Sequence, residues 1–175
     1  MNKIIVEVGS TCTKFDKFDG KNIERIKNVT IEFKKNYKAE NKLNPKDVEI
    51  LIKEVNELDK DLNNIYVCGT SIFRTLEEKE KSEFLENFET NTGLKFDIIT
   101  PEKENEFTVI GATKHVNEKV AVFVGGGGST EISIYDKGIK EMVNTPMGAI
   151  DIMNIYTDLR EWHTYIKLRR GKKRN

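Results

Sequence analysis

A balance of 29 basic against 29 acidic residues leaves this 175-residue chain formally neutral, which excludes a general electrostatic pull toward nucleic acid or an anionic membrane. With 37% hydrophobic and 33% charged residues, it can bury a real core under a well-solvated surface, as one domain or one and a fraction. No apolar run approaches membrane-spanning length, and the opening Met1–Val8 enters a strand with no signal-peptide pattern, so a cytoplasmic protein is expected.

In chain order, Ile4–Val8 reads as a buried strand, Gly9-Ser10-Thr11 as a turn, and Cys12–Phe18 as an alternating return strand closed by Asp19-Gly20. The alternation around Ile23, Val29, Ile31 and Phe33 predicts a third strand over Ile23–Phe33. Asn44 is placed to cap a helix with Pro45 at its first position, and Val48, Leu51, Ile52, Val55 and Leu58 recur on one face. Ile65–Cys68 is a short buried strand. Gly69-Thr70-Ser71 leads to a helical region over Leu76–Phe88 with Leu76, Phe84, Leu85 and Phe88 inward, and Gly93 stops it. Phe96–Ile99 is a strand and Pro101–His115 a helix packing Phe107, Ile110 and Gly111. Val120–Val124 then opens a second hairpin whose third strand is Ile139–Asn144.

The most informative stretch is Val120–Tyr135, where four glycines and two hydroxyls join a buried-type strand to an alternating one. Glycine lets the backbone approach an anion and take positive φ, so that successive N–H groups of Gly126, Gly127 and Gly128 can point at one phosphate while Ser129 and Thr130 add hydroxyl donors. Gly9, Ser10 and Thr11 repeat the arrangement at the start of the chain. Neither turn is followed by the Lys-Ser/Thr of a P-loop, and no G-x-G-x-x-G joins a strand to a helix, so both nucleotide-loop readings fail. Cys12 and Cys68 lack metal spacing and read as small buried residues without a disulfide. His115 and His163 have no partners for a histidine mechanism.

The order β-β-β-α-β-α-β-α followed by a new β-β-β is the pattern of the actin-like, ribonuclease H-like ATPase architecture. The expected fold is therefore an α/β actin-like domain with a mixed sheet over residues 1–117, then the start of a second similar unit over 118–161. More narrowly, the chain resembles the exopolyphosphatase and guanosine pentaphosphate phosphohydrolase (Ppx/GppA) family. The resemblance rests on Glu7-Val8-Gly9-Ser10-Thr11, on Cys68-Gly69-Thr70-Ser71-Ile72-Phe73-Arg74, on Thr100-Pro101-Glu102-Lys103-Glu104-Asn105 running into Ile110-Gly111, and on Gly126-Gly127-Gly128-Ser129-Thr130-Glu131.

That resemblance implies hydrolysis of the terminal phosphoanhydride of polyphosphate or guanosine pentaphosphate. It implies Glu104 as the group orienting or deprotonating water, Arg74 as phosphate clamp, and both turns with Thr70 and Ser71 as phosphate donors. It also implies magnesium held by Glu7. The sequence departs from the family where Val124 occupies the second hairpin's acidic position, Lys103 replaces a glutamate and Pro101 a glycine, so weakened metal binding and reduced or absent activity are expected. A noncatalytic polyphosphate- or nucleotide-binding module is the alternative, and a sugar or acetate kinase of the same broad fold a weaker third. Trp162–Asn175 is a basic tail without acids, read as a truncated or frame-shifted end ahead of a purposeful contact with an anionic polymer such as RNA. A half-built second unit would leave a sheet edge open, which favours a homodimer.

Overall fold

The computed structural model describes residues 3–40, 42–59 and 64–156. Three strands, β1 (Lys3–Val8), β2 (Cys12–Phe18) and β3 (Ile23–Thr30), form an antiparallel meander. Helices α1 (Phe33–Glu40) and α2 (Pro45–Asn56) lead to β4 (Ile65–Gly69), which lies parallel to β1. A 3₁₀ turn (Ser71–Thr75) and α3 (Glu78–Thr92) precede β5 (Phe96–Ile98), completing a mixed five-stranded sheet in the order β3-β2-β1-β4-β5. Helix α4 (Pro101–Thr113) connects to a second sheet, β6 (Val120–Gly125), β7 (Thr130–Tyr135) and β8 (Ile139–Thr145), and α5 (Ala149–Ile155) follows. The chain is α/β, with the expected mixed sheet. The tail Trp162–Asn175 and residues 157–161 lie outside the described residues. Among the described residues, no helix is long and apolar enough to cross a membrane.

Local chemistry sets the element ends. The Asn44 side chain accepts the Lys46 N–H ahead of Pro45, and Thr100 accepts the Lys103 N–H ahead of Pro101, so both helices start as read. Gly93 ends α3 at φ 72°, a left-handed conformation that glycine takes without strain. The core of the first unit gathers around Phe73, whose ring lies 5.2 Å from Phe33, 5.2 Å from Phe84 and 4.9 Å from Phe96. Gly69 is required beside it, because a Cβ there would come within 2.3 Å of the Phe96 ring.

Two expectations change. The third strand ends at Thr30, and Phe33 begins α1. Its ring is buried against Phe73 and the Lys34 N–H is tied to the Ser10 carbonyl, so tertiary contact outweighs the local alternation. Helix α4 turns the opposite way to the reading. Phe107 and Ile110 are 47% and 57% exposed and Gly111 faces open space, whereas Asn105, Val109 and Thr113 are buried. The buried stripe is partly polar because it covers the second sheet through hydrogen bonds. Asn105 Nδ2 donates to Asn144 Oδ1 at 2.9 Å and accepts the Ser133 hydroxyl on Oδ1 at 2.9 Å.

Removing that bridge strands two polar partners. Asn105→Ala is expected to cost on the order of 2 kcal/mol in urea unfolding. Ile110→Ala, on the exposed face, should stay within about 0.5 kcal/mol. Equal effects of the two would contradict the observed face.

Candidate functional site

Both turns have their carbonyl sides tied to the scaffold. In the first, the Ser10 carbonyl accepts the Lys34 N–H and the Thr11 carbonyl accepts the Ile31 N–H. In the second, the Gly126 carbonyl accepts from the Ala149 N–H and Gly127 from the Ile150 N–H, both at the start of α5, while Gly128 accepts from the Lys34 ammonium at 3.2 Å. With three successive carbonyls held on one side, the Gly127, Gly128 and Ser129 amides are bonded to no protein acceptor among the described residues. A run of unclaimed amides in a tight turn is the kind of backbone that can hold an anion.

The two turns meet. A Cβ on Gly128 would lie 2.1 Å from Ser71 Oγ and 2.8 Å from Ser10 Oγ, and one on Gly127 would lie 3.2 Å from Thr11 Cγ2. Only glycine permits this approach. Ser71 itself sits at φ 44°, an uncommon left-handed conformation for a residue with a side chain. Ser10 is buried, with a hydroxyl that has no partner among the described residues. The structure thus brings Ser10, Thr11, Ser71, Gly127 and Gly128 together. Gly9, Thr70, Gly126 and Thr130 shape the turns instead. The Gly9 N–H bonds the Cys12 carbonyl, Thr70 is buried with its backbone tied to Val8, the Gly126 N–H bonds the Ser129 carbonyl, and the Thr130 hydroxyl donates to the Met147 carbonyl.

Beside the junction lies a cavity of about 540 Å³, lined among others by Ser71, Arg74, Ser129 and Glu131. Arg74, on the 3₁₀ turn, donates from Nη1 to the Ile99 carbonyl at 3.0 Å and to Glu104 Oε2 at 2.8 Å. The backbone bond aims the guanidinium, and the carboxylate comes from the first turn of α4. Burial pushes the Glu104 carboxyl above its usual range. The Arg74 hydrogen bond and charge oppose this, and the carboxylates of Glu131 and Glu7 reinforce it.

Sequence reasoning left three side chains here without a role. Glu131 is 4% exposed, and its Oε1 has no hydrogen-bond partner among the described residues. The alternation of β7 was its signal, since Glu131 and Ser133 share the buried face. Lys34 and Asp151, joined at 2.6 Å, had none: Lys34 followed a segment read as strand, and Asp151 stands more than a hundred residues away.

The two hairpins differ in charge at equivalent places. One pair before the turn, Glu7 faces Lys14 in the first and Val124 faces Glu131 in the second. Glu7 Oε1 takes the Lys14 ammonium at 2.9 Å, and among the described residues no three of His, Cys, Asp or Glu converge on one metal position. Magnesium needs only one or two carboxylates when phosphate and water complete its shell. The unpartnered Glu131 oxygen fits that demand, whereas Glu7 already has a cation.

A model of the Ppx/GppA phosphatase family matches residues 20–165. No curated protein matches the chain. Among solved structures, the Ppx/GppA family member of Aquifex aeolicus superposes with TM-score 0.70 at 21% identity, covering 88% of this chain and 54% of its own. An exopolyphosphatase from Cytophaga hutchinsonii gives TM-score 0.74 at 13% identity, with coverage of 88% and 53%. This chain therefore spans just over half the length of either. A Bacteroides thetaiotaomicron protein with an actin-like ATPase fold and unknown function matches at TM-score 0.51 and 9% identity, over 94% of this chain and 77% of its own, which bears on fold alone. The matched span takes in Arg74, Glu104 and the glycine turn of the second hairpin, and the chain belongs to the Ppx/GppA phosphatase family.

Proposed function

We propose that this chain carries the phosphate-gripping and water-activating half of a hydrolase that cleaves the terminal phosphoanhydride of polyphosphate or guanosine pentaphosphate. The observation that carries the reading is Arg74, which lines a cavity that also receives the glycine turn and donates to Glu104, behind that lining, at 2.8 Å. Water attacks the terminal phosphorus, the bond from phosphorus to the bridging oxygen breaks, and the shortened chain leaves with those electrons. Ionised Glu104 orients the water and takes its proton. Arg74 keeps Nη2 and Nε for the nonbridging oxygens, and the Gly127, Gly128 and Ser129 amides oppose their charge from the turn. Magnesium, with Glu131 as its protein carboxylate, would neutralise further phosphate charge when bound.

One observation favours the second reading, a noncatalytic phosphate-polymer or nucleotide module: Val124 stands opposite Glu131, so the second hairpin brings a single carboxylate to the site. The two readings separate in one assay. With magnesium and long-chain polyphosphate or guanosine pentaphosphate, the hydrolase reading expects phosphate release that falls about a hundredfold or more in Glu104→Gln, with substrate still bound. Release absent from the wild type beside intact binding would select the module instead.

The proton-accepting role has its own test. Because burial raises Glu104 and Arg74 holds it down, a ¹³C titration of the Glu104 carboxyl should show a midpoint above the ordinary glutamate range of about 4.3, and Arg74→Ala should raise it further. A folded-state value above the unfolded one means that this group favours folding below the ordinary range, and that the contribution is lost as pH rises through the raised value. A midpoint in the ordinary range, or one lowered by Arg74→Ala, would contradict the assignment.

A further inference from the structure

Lys34 is a buried ammonium that no motif contains. It is 9% exposed, and lysine is seldom buried without partners. Its backbone N–H is fixed to the Ser10 carbonyl of the first turn at 3.0 Å, while its side chain crosses to the second turn and to α5. There it donates to the Gly128 carbonyl at 3.2 Å and to Asp151 Oδ2 at 2.6 Å. One lysine therefore stands where both turns meet, and it lines the same cavity as Arg74, Ser129 and Glu131. An ammonium has three protons to donate. Two are used, and the third has no protein acceptor among the described residues.

We propose that Lys34 is a phosphate-binding residue of this cleft, giving its third proton to a nonbridging oxygen and exchanging part of its interaction with Asp151 for the anion. The proposal rests on the phosphate-site reading above and adds to it a cation outside both glycine turns. Asp151 acts against it: its carboxylate pairs with the ammonium, while the same Oδ2 accepts the Gly148 N–H at 3.0 Å and so fixes the start of α5. This opposition sets the sign of the test. An asparagine at position 151 retains an acceptor for the Gly148 N–H but no longer competes for the lysine charge, so anion binding should tighten. A lysine that served only as a structural latch between the units would make the same change weaken binding, because the latch would lose its ion pair.

The experiment is isothermal titration of inorganic tripolyphosphate into the full chain at fixed magnesium, for the wild type, Lys34→Met, Lys34→Arg and Asp151→Asn. The expected result is binding by the wild type, at least about tenfold weaker in Lys34→Met, largely restored in Lys34→Arg and severalfold tighter in Asp151→Asn. Wild-type binding with Lys34→Met unchanged, or with Asp151→Asn weaker, overturns the role of Lys34 while leaving the phosphate site standing. Absence of binding by the wild type overturns the phosphate site itself and Lys34 with it. Should Lys34→Met fail to fold, the Arg and Asn variants decide the matter, since each preserves the local hydrogen-bonding shape.

Discussion

No side chain can stand at position 148, where a Cβ would sit 2.5 Å from the Gly127 carbonyl carbon and the Gly128 nitrogen, and one at position 128 would displace the Ser71 and Ser10 hydroxyls, 2.1 and 2.8 Å from where its Cβ would be. This backbone approach brings the second hairpin onto the first and onto the 3₁₀ turn, and the rest of the site follows from it. It seats the α5 amides on the Gly126 and Gly127 carbonyls, sets the Gly128 carbonyl within reach of Lys34, and lets Asn105 bridge to Asn144 and Ser133. A polar seam of this kind fixes one relative placement, because slippage would leave buried donors and acceptors unmatched.

Ion pairs join Glu7 with Lys14, Glu104 with Arg74, and Asp151 with Lys34, and the cations of the last two line the cleft. Each pairing offsets part of the cost of placing a charge where it is partly desolvated. Glu131 is buried, and its Oε1 has no hydrogen-bond partner among the described residues. The imbalance follows from the hairpin registers, where Lys14 occupies in the first turn the place that Glu131 occupies in the second. On the proposed reading, the Lys34 and Arg74 charges face phosphate and Glu131 is the carboxylate suited to a hard cation.

Much of this was readable locally. The cap at Asn44, the helix start at Pro101, the stop at Gly93 and both glycine turns depend on groups acting within a few residues, and each falls where the sequence puts it. Arg74 and Glu104, chosen thirty residues apart by resemblance, come into hydrogen-bond contact. What escaped depends on distant partners. The turn from strand to helix at Phe33 needs the Phe73 ring, and the buried face of α4 is chosen by Asn144 and Ser133 rather than by its own apolar side chains. The Lys34–Asp151 pair spans 117 positions of sequence and leaves no local pattern to find.

On the proposed reading, the two turns grip one anion together. The most direct measurement is a titration of the ¹⁵N-labelled chain with tripolyphosphate, following the backbone amides. Gly127, Gly128 and Ser129 should shift together with Ser10 and Ser71 along a single binding curve, while amides at the exposed ends of β2 and β3 stay still. Shifts confined to one turn, or scattered over surface lysines with unrelated midpoints, would contradict it.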